Sequence, residues 1–345
     1  MARFAFGSLV RVRALPRRLL TRALTIRPEE ASPAVRGFEI DDPEVERHLE
    51  RVGNTFLHGY HAALKEPRAV ALCHQLDRLE WGWRGFAYEG AGMALALLDW
   101  LLPGVRRRRS RLADFLDGPA RPHRYLVIVG AGWTLARTPR RLGTLLQRFD
   151  PHLAWLAVDG YGFHHGFFDW PRAVVGRKRP HRLRGYALRA FDQGLGRSLW
   201  FVRGGAPRRI ADTVGSFSPA RRSDLWSGVG LACGFAGGVH RRTLAELRRL
   251  AGSWVGDLAQ GAAFAAEARW SGGEVQAGTE RAVAVLCDRG AEEVSALTRG
   301  ALEEVAAERR VGGLTEVEPV YEVWRRRVRE LLESGRLRSG PEAAA

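Results

Sequence analysis

A chain of 345 residues with a 46% hydrophobic fraction and eleven tryptophans is long enough to bury a sizeable core and too apolar to be disordered. Its net charge of +16 rests almost wholly on arginine, with Lys65 and Lys178 as the only lysines, and no nucleic-acid motif accompanies the basic runs; base reading is excluded, and solvated faces or acidic-partner patches are expected. Cys73, Cys233 and Cys287 are too far apart for a metal or redox motif and imply reduced, buried thiols.

Residues 1–30 form a basic arm in which arginines alternate with apolar residues until the first acid, Glu29. Such an arm packs on its own domain or on a partner. The run Asp41-Asp42-Pro43-Glu44 predicts a helix start. Val45, Leu49, Val52 and Phe56, then Leu72, Leu76 and Leu79, continue at helical spacing. His58 and His61 read as a helix-surface pair, since no third metal ligand lies nearby. Glu89 and Asp99 interrupt apolar helical patterns, where an acid is functional if buried but is more often exposed or paired. The run 90–102 is too short to span a bilayer, being broken by Asp99 and closed by Pro103. These features predict a cytoplasmic protein and leave open a peripheral membrane contact through arginines. The stretch 106–122 is a basic linker or surface segment.

Val127 to Ala136 imitates a dinucleotide-binding turn, G-x-G-x-x-x-A after an apolar run, and a second apolar run ends at Asp159. Against it stand the mid-chain position and the absence of further strand–helix alternation.

Trp155 to Trp170 is the densest stretch. Asp159, Tyr161, His164, His165 and Asp169 alternate there with glycines and phenylalanines. Adjacent histidines between acids and aromatic walls could carry a proton, bind a metal or meet a ligand. The plainer reading is a Gly-rich turn whose histidines are hydrogen-bonded and idle. A second glycine-punctuated motif, Asp192 to Phe201, contains Arg197. Farther on, Thr243 with Glu246 and Thr315 with Glu318 match capping boxes, and the tail after Arg338 frays.

An offset of 145 residues pairs Phe56 with Phe201, Gly59 with Gly204, Trp81 with Trp226, Gly85 with Gly230, Ala87 with Ala232 and Gly92 with Gly237. It predicts a mainly α-helical, internally duplicated protein with two pseudo-symmetric halves, 31–150 and 184–335, joined by 151–183 and followed by a tail, 336–345. Glycines would let helices approach closely at the seam, with a ligand pocket between the halves.

Val158-Asp-Gly-Tyr-Gly-Phe-His, Asp192-Gln-Gly-Leu-Gly-Arg-Ser-Leu-Trp-Phe, Trp226-Ser-Gly-Val-Gly-Leu-Ala-Cys-Gly-Phe and Trp83-Arg-Gly-Phe-Ala-Tyr-Glu-Gly together resemble domain-of-unknown-function family 1702, whose members are encoded in enediyne polyketide clusters. The resemblance spans 36–305. It implies an accessory role in turning a linear polyene into an enediyne core, beside a polyketide synthase and a membrane accessory protein, and it favours His164 over His165.

The expected function is therefore binding or transformation of a hydrophobic polyene or polyyne intermediate. Trp81, Trp83, Phe163, Phe167, Arg197 and Trp226 are the ligand-binding candidates. Asp159 and His164 are the candidate acid–base pair, with Tyr161 beside them. The alternatives are a scaffold that docks a synthase or membrane partner, and a flavin or nicotinamide oxidoreductase using Gly130 and Gly132. Cofactor and reaction stay open.

Overall fold

The computed structural model describes residues 17–102, 110–139, 141–273, 275–310 and 318–338. The basic run 106–109, Thr315 of the second capping box, residues 1–16 of the arm and the tail beyond 338 lie outside them. Among the described residues every regular element is a helix, as expected. Seven long helices make the frame: α1 Pro43–Lys65, α2 Arg84–Leu101, α3 Arg124–Arg137, α4 Leu156–Phe168, α5 Tyr186–Val202, α6 Pro219–Phe235 and α7 Val255–Ser271. Along this frame each helix packs on the one before and the one after it.

Helix α1 begins where its sequence predicts. The Asp42 carboxylate accepts from the amides of Glu44 (2.8 Å) and Val45 (3.4 Å), and Pro43 opens the first turn. Val45, Leu49, Val52 and Phe56 form its buried stripe. The central helices have no solvent face; in α2 every residue from Gly85 to Asp99 is buried, as an all-round apolar pattern requires. Asp99 is a buried cap, not a site: its carboxylate accepts from the amides of Arg111 and Leu112, both at 3.1 Å.

The glycines explain how such helices pack. A G-x-G triplet occurs in each of α2 to α6, at Gly90, Gly130, Gly160, Gly194 and Gly228, at intervals of 40, 30, 34 and 34 residues. In each triplet the first glycine faces a backbone carbonyl of the preceding helix and the second faces one of the following helix. The contacts are reciprocal: Gly132 lies on the carbonyl of Ala157 in α4, and Gly160 lies on that of Val129 in α3. Gly59 in α1 and Gly261 in α7 end the series, on Ala87 and Ser227. A Cβ at any of these positions would overlap the facing carbonyl.

Three expectations change accordingly. Val127 to Ala136 lies inside α3, so no strand or phosphate-cradling turn forms at Gly130 and Gly132. The Trp155–Trp170 stretch is helix α4 with its flanks, not a Gly-rich turn, and the Asp192–Phe201 motif lies within helix α5. The 145-residue offset superposes elements only in part: Phe56 and Phe201 lie in α1 and α5, and Gly85 and Ala87 in α2 match Gly230 and Ala232 in α6. But Gly59 is inside α1 while Gly204 has φ +57 beyond α5, and Trp81 is in a 3-10 turn while Trp226 is inside α6, so two pseudo-symmetric halves are not established. What recurs is one glycine-seamed helix, repeated along the frame.

Other segments close the bundle. Arg269 on α7 donates to the carbonyls of Gly82 (2.7 Å) and Phe235 (2.5 Å) and lies 3.8 Å over the Phe235 ring, tying the last frame helix to the approach of α2. The C-terminal helix Val320–Arg338 buries Trp324 against Phe264 (4.1 Å) and pairs Arg325 with Asp224 at 2.8 Å. The described part of the basic arm packs on its own bundle: Tyr60 donates to the Leu24 carbonyl (2.9 Å), and the Ile26 amide donates to His61 (3.2 Å). His61 is thereby occupied, and His58 is exposed. Helix Arg241–Ala251 starts before Thr243, so that capping box does not form, and Glu246 pairs with Arg208 instead. The three cysteines are free and buried, as expected. No helix among the described residues is long and apolar enough to cross a membrane.

Candidate functional site

Six frame helices, α1 to α6, wall a narrow cavity of ≈ 50 Å³, or ≈ 640 Å³ of atom-free space when its mouth is included. Phe56 and Leu57 come from α1, Phe86 from α2, Trp133 from α3, Phe163, Phe167 and Phe168 from α4, Phe201 from α5, and Ala232 and Phe235 from α6. Ile26 and Ala31 of the N-terminal segment lie across it. The rings pack on one another: Phe56 stacks on Trp133 at 4.3 Å, and Trp133 meets Phe163 at 5.3 Å. Helical spacing accounts for the wall, because Asp159, Phe163 and Phe167 follow one another every four residues along one stripe of α4.

Three lining residues carry charge: Glu30, Glu89 and Arg197. Glu30 pairs with Arg36 in the covering segment. Glu89 and Arg197 sit in the core, 4% and 6% exposed. Arg197 forms a direct ion pair with Asp159, which is fully buried, and lies 3.7 Å from Glu89. The Trp133 indole N–H donates to Glu89 at 3.2 Å, and the guanidinium lies 5.0 Å from the Phe163 ring centre.

One arginine thus stands between two carboxylates, which would leave a net negative charge in an apolar core if both ionised. Burial raises Asp159, while the Arg197 contact opposes that shift. Burial pushes Glu89 up to about 7 in spite of Arg197. Burial works against the charge on Arg197, but Asp159 and Glu89 outweigh it and hold Arg197 above its ordinary value. Glu89, the more distant acid, is therefore the group that exchanges a proton near neutral pH.

The polar residues form a layer set by the glycine seams. Glu89, Asp159, Gln193, Ser227 and Gln260 each immediately precede a seam glycine. Gln193 donates to the Tyr321 hydroxyl at 2.9 Å, and Ser227 donates to Gln260 at 2.8 Å, so the layer runs on from the acid pair to the C-terminal helix.

Among the expected ligand-binding residues, Phe163, Phe167 and Arg197 line the cavity. Trp81 is 58% exposed, Trp83 is half-buried under the Arg51 guanidinium at 4.1 Å, and Trp226 is buried away from the lining. The Asp159–His164 pair does not form. Five residues along a helix turn the side chains about 140° apart, and Asp159 is taken by Arg197. His164 instead meets Trp133 (5.6 Å) and Phe168 (4.8 Å). Burial, then Arg137, holds it well below the ordinary histidine range, so it is neutral. Tyr161 packs on His165 and Phe191. Glu89 in the site was signalled by its place in an apolar helix; Trp133 was hidden inside the dinucleotide-like motif. Among the described residues no three potential metal ligands converge.

A family described as protein of unknown function (DUF1702) matches residues 15–332. The chain belongs to the DUF1702 family. The match takes in every helix of the frame, and so the whole cavity wall of this DUF1702 protein. No curated protein and no solved structure matches the chain.

Proposed function

We propose that this DUF1702 protein is an accessory protein of specialised-metabolite biosynthesis, of the enediyne-polyketide kind, that binds a slender hydrophobic polyene or polyyne intermediate in the central cavity. The observation that carries the reading is a narrow, aromatic-walled cavity closed at its core by one acid–arginine pair. Aromatic faces suit a conjugated chain, which offers π surface and loses little torsional freedom on binding. Where the protein turns its ligand over, Glu89 is the proton carrier, because it faces the cavity and titrates near neutrality.

Methyl cis-parinarate, a neutral conjugated tetraene, tests the reading. Trp133 borders the cavity, so binding is read as tryptophan-to-polyene energy transfer. Micromolar affinity is expected, with loss of about tenfold or more in Ala232→Phe, which fills the cavity. No binding, or equal binding by a folded Ala232→Phe, would sink the reading.

A further inference from the structure

Behind the cavity's lining rings stand polar groups that the acid–arginine pair does not use. Arg137 lies one helical turn beyond Trp133 on α3, and His164 lies one turn before Phe168 on α4, so each polar residue shares a helix face with a lining ring. Both converge on Phe168: the Arg137 guanidinium is 5.8 Å and the His164 ring 4.8 Å from its centre. Arg36 reaches the same ring at 4.8 Å but is paired with Glu30.

Each group has one buried nitrogen without a hydrogen bond. Arg137 Nε and His164 Nε2 are buried without a partner. Among the described residues no carboxylate pairs with Arg137, whereas the buried Arg197, Arg221 and Arg325 each have one. Tyr60 is near enough to interact electrostatically with Arg137, but its hydroxyl already donates to Leu24, and burial lifts it to about 12, so it is no counter-anion. Arg137 is half-buried, and its Nε, shut off from water without an acceptor, carries a desolvation cost that an incoming anion removes.

We infer that the recess between Arg137, His164 and the Phe168 ring holds the carboxylate head of the chain bound in the cavity. The planar fork of one guanidinium matches a carboxylate's two oxygens, and the neutral imidazole adds one N–H donor without a second full charge. The ligand class is then an apolar, conjugated chain ending in an acid, tail among the phenylalanines and head beside the N-terminal segment. This rests on the cavity being the ligand site.

The test compares cis-parinaric acid with its methyl ester on the full chain at pH 7.5, read by the same energy transfer. The acid is expected to bind the wild type at least about tenfold more tightly than the ester. Arg137→Met, with unchanged circular dichroism, should bring the acid to the ester's affinity and leave the ester unmoved. Should Arg137→Met not fold, Arg137→Lys keeps the charge but loses the fork and should lower the preference part-way. Equal affinity for acid and ester in the wild type overturns the carboxylate site and leaves the cavity reading intact. An acid preference that survives Arg137 replacement overturns the placement at this recess. No binding of either probe overturns both.

Discussion

Glu89 meets the cavity as an acid whose charge has nowhere to go. Below about pH 7 it is protonated and the Glu89–Arg197–Asp159 group is neutral overall; above that it leaves a net negative charge facing phenylalanines. A neutral chain such as methyl cis-parinarate should therefore bind best below pH 7, and lose about tenfold in affinity between pH 6 and pH 9. Glu89→Gln keeps the Trp133 hydrogen bond and should flatten the profile at the low-pH affinity. A flat wild-type titration would show that Glu89 does not feel the ligand. Read from the sequence, Phe163, Phe167 and Arg197 come to line the cavity, because there chemistry and helical spacing coincide. Trp81, Trp83 and Trp226 do not line it, because an indole's place depends on which helix face it occupies, and motif composition does not carry that. Asp159 and His164 look paired when written in a line; wound into α4 they belong to different neighbours.

At the scale of the helix the decisive residue is glycine, and its signal is ambiguous. Glycine in a helix interior costs about 1 kcal/mol relative to alanine, so G-x-G reads as a turn unless something offsets that cost. Here the offset is close approach of two backbones, which no property of one segment reveals. It becomes legible only when the five triplets are seen at similar intervals. Gly160→Ala should destabilise the protein by about 3 kcal/mol or more, because its Cβ would overlap the Val129 carbonyl and backbone cannot rotate away. Gly300→Ala, in helix Ala291–Arg310 with nothing within 4 Å of its Cβ, should stabilise it by about 0.5–1 kcal/mol. Urea midpoints measure both; a Gly160→Ala variant as stable as wild type would mean that the seams are looser than described.

Across the whole molecule the last frame helix is tied back to the approach of the first ones, and His123 sits in that closure. Its ring stacks on Tyr88 of α2 at 4.0 Å and faces Gly272 at the end of α7, where a Cβ would meet it at 3.0 Å. Burial depresses His123 to about 4 from 6.5, against the opposing pull of Asp77. Between those values the unfolded chain binds a proton that the folded one refuses. Its contribution is therefore complete above pH 6.5 and lost as the pH falls towards 4, amounting to about 3 kcal/mol at the upper limit. Glu89 acts with the opposite sign: raised from 4.5 to about 7, it favours the folded state fully below 4.5 and loses that contribution as pH rises to 7. A wild-type curve alone mixes the two, whereas His123→Phe keeps an aromatic ring on Tyr88 and removes one titration. The stability of wild type relative to His123→Phe should fall by about 3 kcal/mol between pH 7 and pH 4. Parallel curves across that range would show that His123 accepts its proton without disturbing the closure. A fall of wild type relative to the variant would mark the closure at His123, between Tyr88 and Gly272, as a place where acid loosens the bundle.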